Sequence, residues 1–213
     1  MSRRLPSPPL GGRLRNVIYG ACTASGHTRC LQRVFLSHTI ELRDFPRPLS
    51  FVAAAESAVA RARLSVADCA YLAAGDRAPA DWCRQAVREA DIYVGIIGFR
   101  YGSPARESGR SYTELEFDTA TALRMPRLVV LLDERGVIPL PAEQIIDPLH
   151  GTRQAAFRQR LRERSGLTIA YVTTPWELET VTYQALVEIS HPSRSPAPAP
   201  TRRGHPARLA TTR

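Results

Sequence analysis

The sequence predicts an α/β protein in which a five-stranded parallel sheet is covered on both faces by helices. Three observations lead there. Short apolar runs alternate with amphipathic segments from Arg33 onward, the pattern of βα units whose strands are buried on both sides. Ile92-Tyr93-Val94-Gly95-Ile96-Ile97 is apolar without alternation, as a central parallel strand should be. Pro175 sits where a first helical turn accepts proline, which places a last helix at the end of the unit.

In order, Val34–His38 reads as the first strand, and a loop rich in proline and charge, about Thr39 to Ser50, leads to an alanine-rich helix near Phe51–Arg63. A second strand follows around Val66–Leu72, Gly75 and Asp76 open a loop, and Asp81–Glu89 reads as a short helix whose Asp81, Trp82 and Asp91 serve local capping. After the third strand, Ile92–Ile97, a polar loop gives way to a helix opening at Ser111, then to a fourth strand at Arg127–Leu132. A proline-containing connection, a basic helix near Thr152–Ser165, a fifth strand at Leu167–Val172 and a helix at Pro175–Ile189 complete the unit. The five arginines between Arg153 and Arg164 read as a solvated face.

At 213 residues the chain holds one domain of ordinary size plus extra segments. Its net charge of +9 suggests nucleic acid at first sight. Residues 1–33 hold six arginines and no acid, however, and residues 192–213 hold five and no acid. Setting those eleven aside leaves the middle near −2. The basicity belongs to two ends rich in Pro, Ser and Arg, read as disordered: residues 1–32 and 191–213, flanking a domain at 33–190. All 29 basic residues are arginine, which speaks for codon bias rather than for nucleic-acid binding. Cys22, Cys30, Cys69 and Cys83 form no C-x-x-C pair, and the five histidines make no ligand spacing with them, so no metal is expected and a reduced cytoplasmic setting is the simplest reading. No run approaches membrane-spanning length, and neither a P-loop nor a G-x-G-x-x-G fingerprint is present.

The residues that invite a functional reading lie in Ser111-Tyr112-Thr113-Glu114-Leu115-Glu116-Phe117. Ser111 and Glu114 form an S-x-x-E capping box, which gives Glu114 a structural role. With Tyr112 at zero and about 100° per residue, Glu116 falls near 40°, inside the apolar arc of its own helix. A carboxylate there must be paired, neutralised or in a cleft. In open parallel sheets, ligands bind beyond the carboxyl ends of the strands. That rule gathers Ser37 and His38 after the first strand, Gly98, Arg100, Tyr101 and Gly102 after the third, and Tyr112 with Glu116. Each has an ordinary alternative: Glu116 can bond a neighbouring loop, His38 can be a hydrogen-bonded loop residue, and Tyr101 with Gly102 can be a packed turn.

Arg33-Val34-Phe35-Leu36-Ser37-His38, the run Ala90 to Ser103 (ADIYVGIIGFRYGS) and Ser111 to Phe117 (SYTELEF) together resemble a TIR-like family of unknown function, over about residues 33–190. The resemblance implies a flavodoxin-like three-layer sandwich of the TIR class. In that family the domain commonly begins actinobacterial proteins that continue into a STAND-type ATPase or helical repeats. Many TIR domains cleave NAD between nicotinamide and ribose with a glutamate that follows an aromatic residue by four, and Tyr112 with Glu116 has that spacing. By this analogy Glu116 is the catalytic residue, and Ser37, His38, Tyr101 and Tyr112 line the substrate site, with NAD a substrate rather than a cofactor. Self-association, a STAND ATPase or repeat-protein partner, and a role in bacterial defence or stress signalling are implied likewise. Tryptophan is the more usual aromatic before the TIR glutamate, where Tyr112 stands here, and Ile40–Arg47 does not look like a TIR loop. The rival reading is a non-catalytic interaction module in which Glu116 anchors a loop. The helix also resembles that of nucleoside deoxyribosyltransferases, although the aspartate and glycines those enzymes carry before it are absent here.

Overall fold

The computed structural model describes residues 31–67 and 79–191. The elements are β1 (Arg33–Ser37), α1 (Ile40–Asp44), α2 (Phe51–Arg61), β2 (Ser65–Ala67), α3 (Pro79–Arg88), β3 (Ile92–Ile97), α4 (Tyr112–Ala122), β4 (Arg127–Leu132), α5 (Ala142–Ile145), α6 (Gly151–Arg164), β5 (Ile169–Val172) and α7 (Pro175–Ser190). The five strands are parallel in the order β2-β1-β3-β4-β5, so the chain reverses its direction of travel across the sheet between β1 and β3. This is the flavodoxin-like order, and its switch point is where a ligand crevice opens.

Alternation along the strands divides the core into two layers. Val34, Leu36, Ile92, Val94, Ile96, Val130 and Leu132 face α2 and α7, packing on Phe51, Ala55, Leu178 and Leu186. Phe35, Tyr93, Ile97, Val129 and Leu131 face the other way, onto Val87 of α3, Phe117 of α4, and Phe157 and Leu161 of α6. All six residues of β3 are buried, as its unbroken apolar run requires. The helices start on side-chain caps: Ser50 Oγ accepts from Ala53 N–H at 3.0 Å, and Thr174 with Glu177 completes a capping box ahead of Pro175. Asp91 accepts the backbone N–H of Arg33 at 2.7 Å, so it ties the entry of β1 to that of β3. Asp81 pairs with Arg84 at 2.8 Å on an exposed turn.

Four sequence readings are corrected. The segment read as a loop from Thr39 to Ser50 contains α1, and the connection before the basic helix contains α5. The capping box at Ser111 is half formed: Ser111 Oγ accepts from Glu114 N–H at 3.2 Å, while the Glu114 carboxylate is engaged by Tyr101 Oη and by Arg160. The basic helix is not simply a solvated face. Arg158 is 3% exposed and donates to the carbonyls of Ile97 at 3.1 Å, Gly98 at 2.9 Å and Leu132 at 2.7 Å. Burial holds its pKa below the ordinary arginine value. Gln154, one turn earlier, donates to Gly98 O at 2.7 Å. The α6 helix therefore closes the carboxyl ends of β3 and β4.

The end segments 1–30 and 192–213, the cysteines Cys22, Cys30 and Cys69, the part of the second strand beyond Ala67 and the loop at Gly75 and Asp76 lie outside the described residues. Among the described residues no helix is long and apolar enough to cross a membrane.

Candidate functional site

Two adjoining features occupy the switch point. The first is a buried polar cluster. Ser37, the last residue of β1, and Glu116, in the second turn of α4, are 1% and 6% exposed, and Ser37 Oγ donates to Glu116 Oε2 at 2.6 Å. Beside them lies Tyr93, stacked on Phe35 and edge-on to Phe117. Its hydroxyl makes no hydrogen bond of good geometry. Burial and then the nearby Glu116 charge push the phenol well above its ordinary pKa, and Ser37 offsets them only in part. The helix phase that put Glu116 on the apolar face is thus realised as a carboxylate turned to the sheet and met there by a serine.

The second feature is an open cleft of about 390 Å³ lined by His38, Thr39, Ile40 and Glu41 from the end of β1 and α1, Arg100 to Pro104 excluding Tyr101, Tyr112 and Thr113 from α4, and Asp147, Leu149 and His150. Of the residues singled out from sequence, the cleft brings together His38, Arg100, Gly102 and Tyr112. Ser37 and Glu116 stand outside its lining. Tyr101 does too: it is buried, donates from its hydroxyl to Glu114, and lies edge-on to His150 with ring centroids 6.0 Å apart. His38 Nδ1 lies 3.1 Å from Thr39 O and Nε2 lies 3.2 Å from Arg43 Nη2. Those partners fit a neutral imidazole with its proton on Nδ1. Burial lowers the His38 pKa, against a smaller upward pull from the Thr39 carbonyl.

Sequence reasoning missed Glu41 and Asp147. Glu41, 3% exposed, receives Thr39 Oγ1 on its Oε1 at 2.5 Å, and burial holds its pKa above the usual carboxylate value. The only signal was a threonine two residues before an acid, hidden in what reads as a loop. Asp147 organises the opposite wall, taking backbone N–H groups from Tyr101 at 2.9 Å, Leu149 at 3.1 Å and His150 at 2.8 Å. Its signal was an aspartate just before a helix.

For Asp147, burial raises the pKa but the three backbone donors outweigh it, and the carboxyl titrates below its ordinary value. A group depressed in the folded state contributes stability above its unfolded pKa and loses it as pH falls through the folded value. Asp147→Asn is therefore expected to cost on the order of 1 kcal/mol at neutral pH, a figure discounted for partial exposure. The gap to wild type should close below about pH 4, and paired thermal melts from pH 7 to pH 3 measure it.

Gly102 forms part of the cleft floor at φ +80°, and a Cβ there would lie 3.0 Å from Thr39 Cγ2. Gly102→Ala is expected to cost about 1–2 kcal/mol through left-handed strain and contact with Thr39. That corresponds to a fall in melting temperature of about 2–8 °C for a domain of this size. An unchanged melting temperature would show that the turn relaxes freely.

The family comparison covers every residue named in this site. No curated protein matches the chain. Residues 33–187 match the family model described as a domain of unknown function, DUF4062, so the chain belongs to the DUF4062 family.

Proposed function

We propose that this DUF4062 domain binds NAD or a related nucleotide in the cleft beside β1 and β3 and cleaves its nicotinamide–ribose bond. One observation carries the reading: a buried carboxylate, Glu116, held by Ser37 at the end of β1, lies one helical turn from Tyr112, which lines the cleft. The spacing is that of the TIR glutamate and its preceding aromatic residue.

In the reaction the C1′–N bond breaks with both electrons leaving on neutral nicotinamide, and positive charge develops on the ribose ring. A carboxylate at the site stabilises that oxocarbenium-like transition state. Water then adds at C1′ and loses its proton to solvent, giving ADP-ribose. No strong acid is required for a leaving group that departs neutral. On this reading the domain is the effector part of a defence or stress-signalling protein of the cytoplasm and acts when self-associated, with a STAND ATPase or repeat protein as the sensing partner.

The test is nicotinamide release from NAD, followed by chromatography, with concentrated wild type beside Glu116→Gln and Glu114→Gln and with a crowding agent to favour assembly. Release lost in Glu116→Gln and kept in Glu114→Gln supports the assignment. Release unaffected by Glu116→Gln removes that residue from the chemistry.

A second reading has its own observation: Glu116 lies outside the cleft lining and already has a hydrogen-bonding partner. That favours an interaction module in which the carboxylate anchors β1 to α4. NAD then has no effect on the melting temperature, whereas any ligand that binds only the folded state raises it.

A further inference from the structure

Among the described residues, one carboxylate oxygen of Glu41 has no hydrogen-bond partner. Glu41 Oε1 is occupied by Thr39 Oγ1 at 2.5 Å, while Oε2 is buried without a hydrogen-bond partner. The residue is 3% exposed and yet belongs to the lining of the cleft. Gly98 lies close against the other oxygen, since a Cβ at that position would sit 3.3 Å from Oε1. An unmatched buried carboxylate oxygen is costly, and natural proteins retain one where something outside the fold completes it. Around it the cleft presents the charges of Arg100 and Asp147 and the rings of His38, Tyr112 and His150.

We propose that Glu41 is the ligand-contacting carboxylate of this cleft, its Oε2 accepting a hydroxyl of a ribosyl ligand, and that Glu116 acts beneath it as a positioning residue through Ser37. The inference rests on the reading that the cleft takes a ribosyl nucleotide. The geometry suits that ligand class. A sugar hydroxyl supplies the missing donor at Oε2, Tyr112 offers an aromatic surface for a flat base, and Arg100 supplies a cation for a phosphate. Thr39 fixes the carboxylate by holding Oε1, which leaves Oε2 as the oxygen for a ligand donor. Burial, which raises the Glu41 pKa, is offset when a donor arrives, and the affinity should therefore rise with pH through the Glu41 titration. Arg100 and Asp147 act on Glu41 in opposite senses, and His38 and His150 are the other titratable groups facing the cleft.

The experiment is a set of calorimetric titrations of the full chain, as wild type, Glu41→Gln and Thr39→Val, with NAD, ADP-ribose and ribose 5-phosphate. Circular dichroism and thermal melts establish that each variant folds. The expected result is NAD binding to wild type, at least tenfold weaker in Glu41→Gln and several-fold weaker in Thr39→Val, with the rise of affinity with pH lost in Glu41→Gln. Equal affinity in wild type and Glu41→Gln overturns the role of Glu41 and leaves the nucleotide cleft standing. Binding of ADP-ribose or ribose 5-phosphate but not NAD, again lost in Glu41→Gln, removes NAD as substrate and keeps Glu41. If wild type binds none of the three, both readings fall. Should Glu41→Gln not fold, Thr39→Val decides: unchanged affinity there overturns the proposal.

Discussion

Replacing Arg158 with alanine is expected to destabilise the domain by about 3 kcal/mol. The guanidinium serves three carbonyls at the carboxyl ends of β3 and β4, and all of them lie where water is excluded. Removing the donor leaves those oxygens to rely on Gln154, which reaches only Gly98. The side chain also packs over Phe99, 5.2 Å from the ring centroid, so alanine loses contact area as well as hydrogen bonds. Arg158→Met separates the two losses: it restores most of the volume and none of the donors. It should remain destabilised by about 2 kcal/mol, with the deficit concentrated in the unpaired carbonyls. Arg158→Lys should fall between, since a single ammonium cannot copy a fork that spans two strands. Urea denaturation measures all three, and hydrogen exchange at the ends of β3 and β4 locates the damage. A methionine variant as stable as wild type would show that water reaches the strand ends and replaces the arginine.

The signal for Arg158 was present in the sequence but outvoted. Gln154, Phe157, Arg158 and Leu161 are the buried residues of α6, at positions i, i+3, i+4 and i+7. Phase alone puts Arg158 on the stripe with Phe157 and Leu161. The surrounding arginines made a solvated face the simpler reading, because charge density says nothing about which member of a basic run points inward. Glu116 was legible by the same phase argument, since its neighbours in α4 are apolar and a lone acid on that face stands out. The sheet was legible for a different reason. A strand buried on both sides must be apolar at every position, and Ile92–Ile97 announces that without help from distant residues.

What stayed hidden depends on contacts far apart in the chain. The α1 helix has five residues, too few to display a period, and it is followed by prolines that read as loop. Glu41 packs close to Gly98 and shares its cleft with Asp147, neither of which is near it in sequence. Glu114 shows the limit from the other side. Its capping motif was read correctly as a helix start, but Tyr101 and Arg160 compete for its carboxylate, and a local motif cannot reveal a competitor supplied by another element. The depth at which Glu116 is buried is of the same kind, because helix phase gives a direction and no distance from solvent.

That depth makes the Ser37–Glu116 pair the second place where a large effect is expected. Glu116→Ala should lose about 2–4 kcal/mol, because it removes the acceptor of a buried hydroxyl and opens a small cavity against the sheet. Glu116→Gln keeps an acceptor and the volume, and should lose about 1 kcal/mol. Ser37→Ala removes the donor and leaves the carboxylate less well satisfied, at a cost of about 1–2 kcal/mol. A charge-assisted bond of 2.6 Å between two groups shielded from water predicts strong coupling. The double variant should accordingly be less destabilised than the sum of the single ones by about 1–2 kcal/mol. Additive losses would mean that the short contact contributes little and that Glu116 is held by its other surroundings. Reading the same variants for nicotinamide release separates structure from chemistry. Under the hydrolase reading Glu116→Gln folds and loses release by at least a hundredfold, about 2.7 kcal/mol in the barrier, because a neutral amide cannot offset the charge that develops on the ribose. Under the anchoring reading the order reverses: stability falls in proportion to the lost hydrogen bond, and any NAD affinity follows the fraction folded. A positioning role for Glu116 gives a third pattern, in which Ser37→Ala and Glu116→Gln weaken turnover together while Glu41→Gln weakens binding at least tenfold.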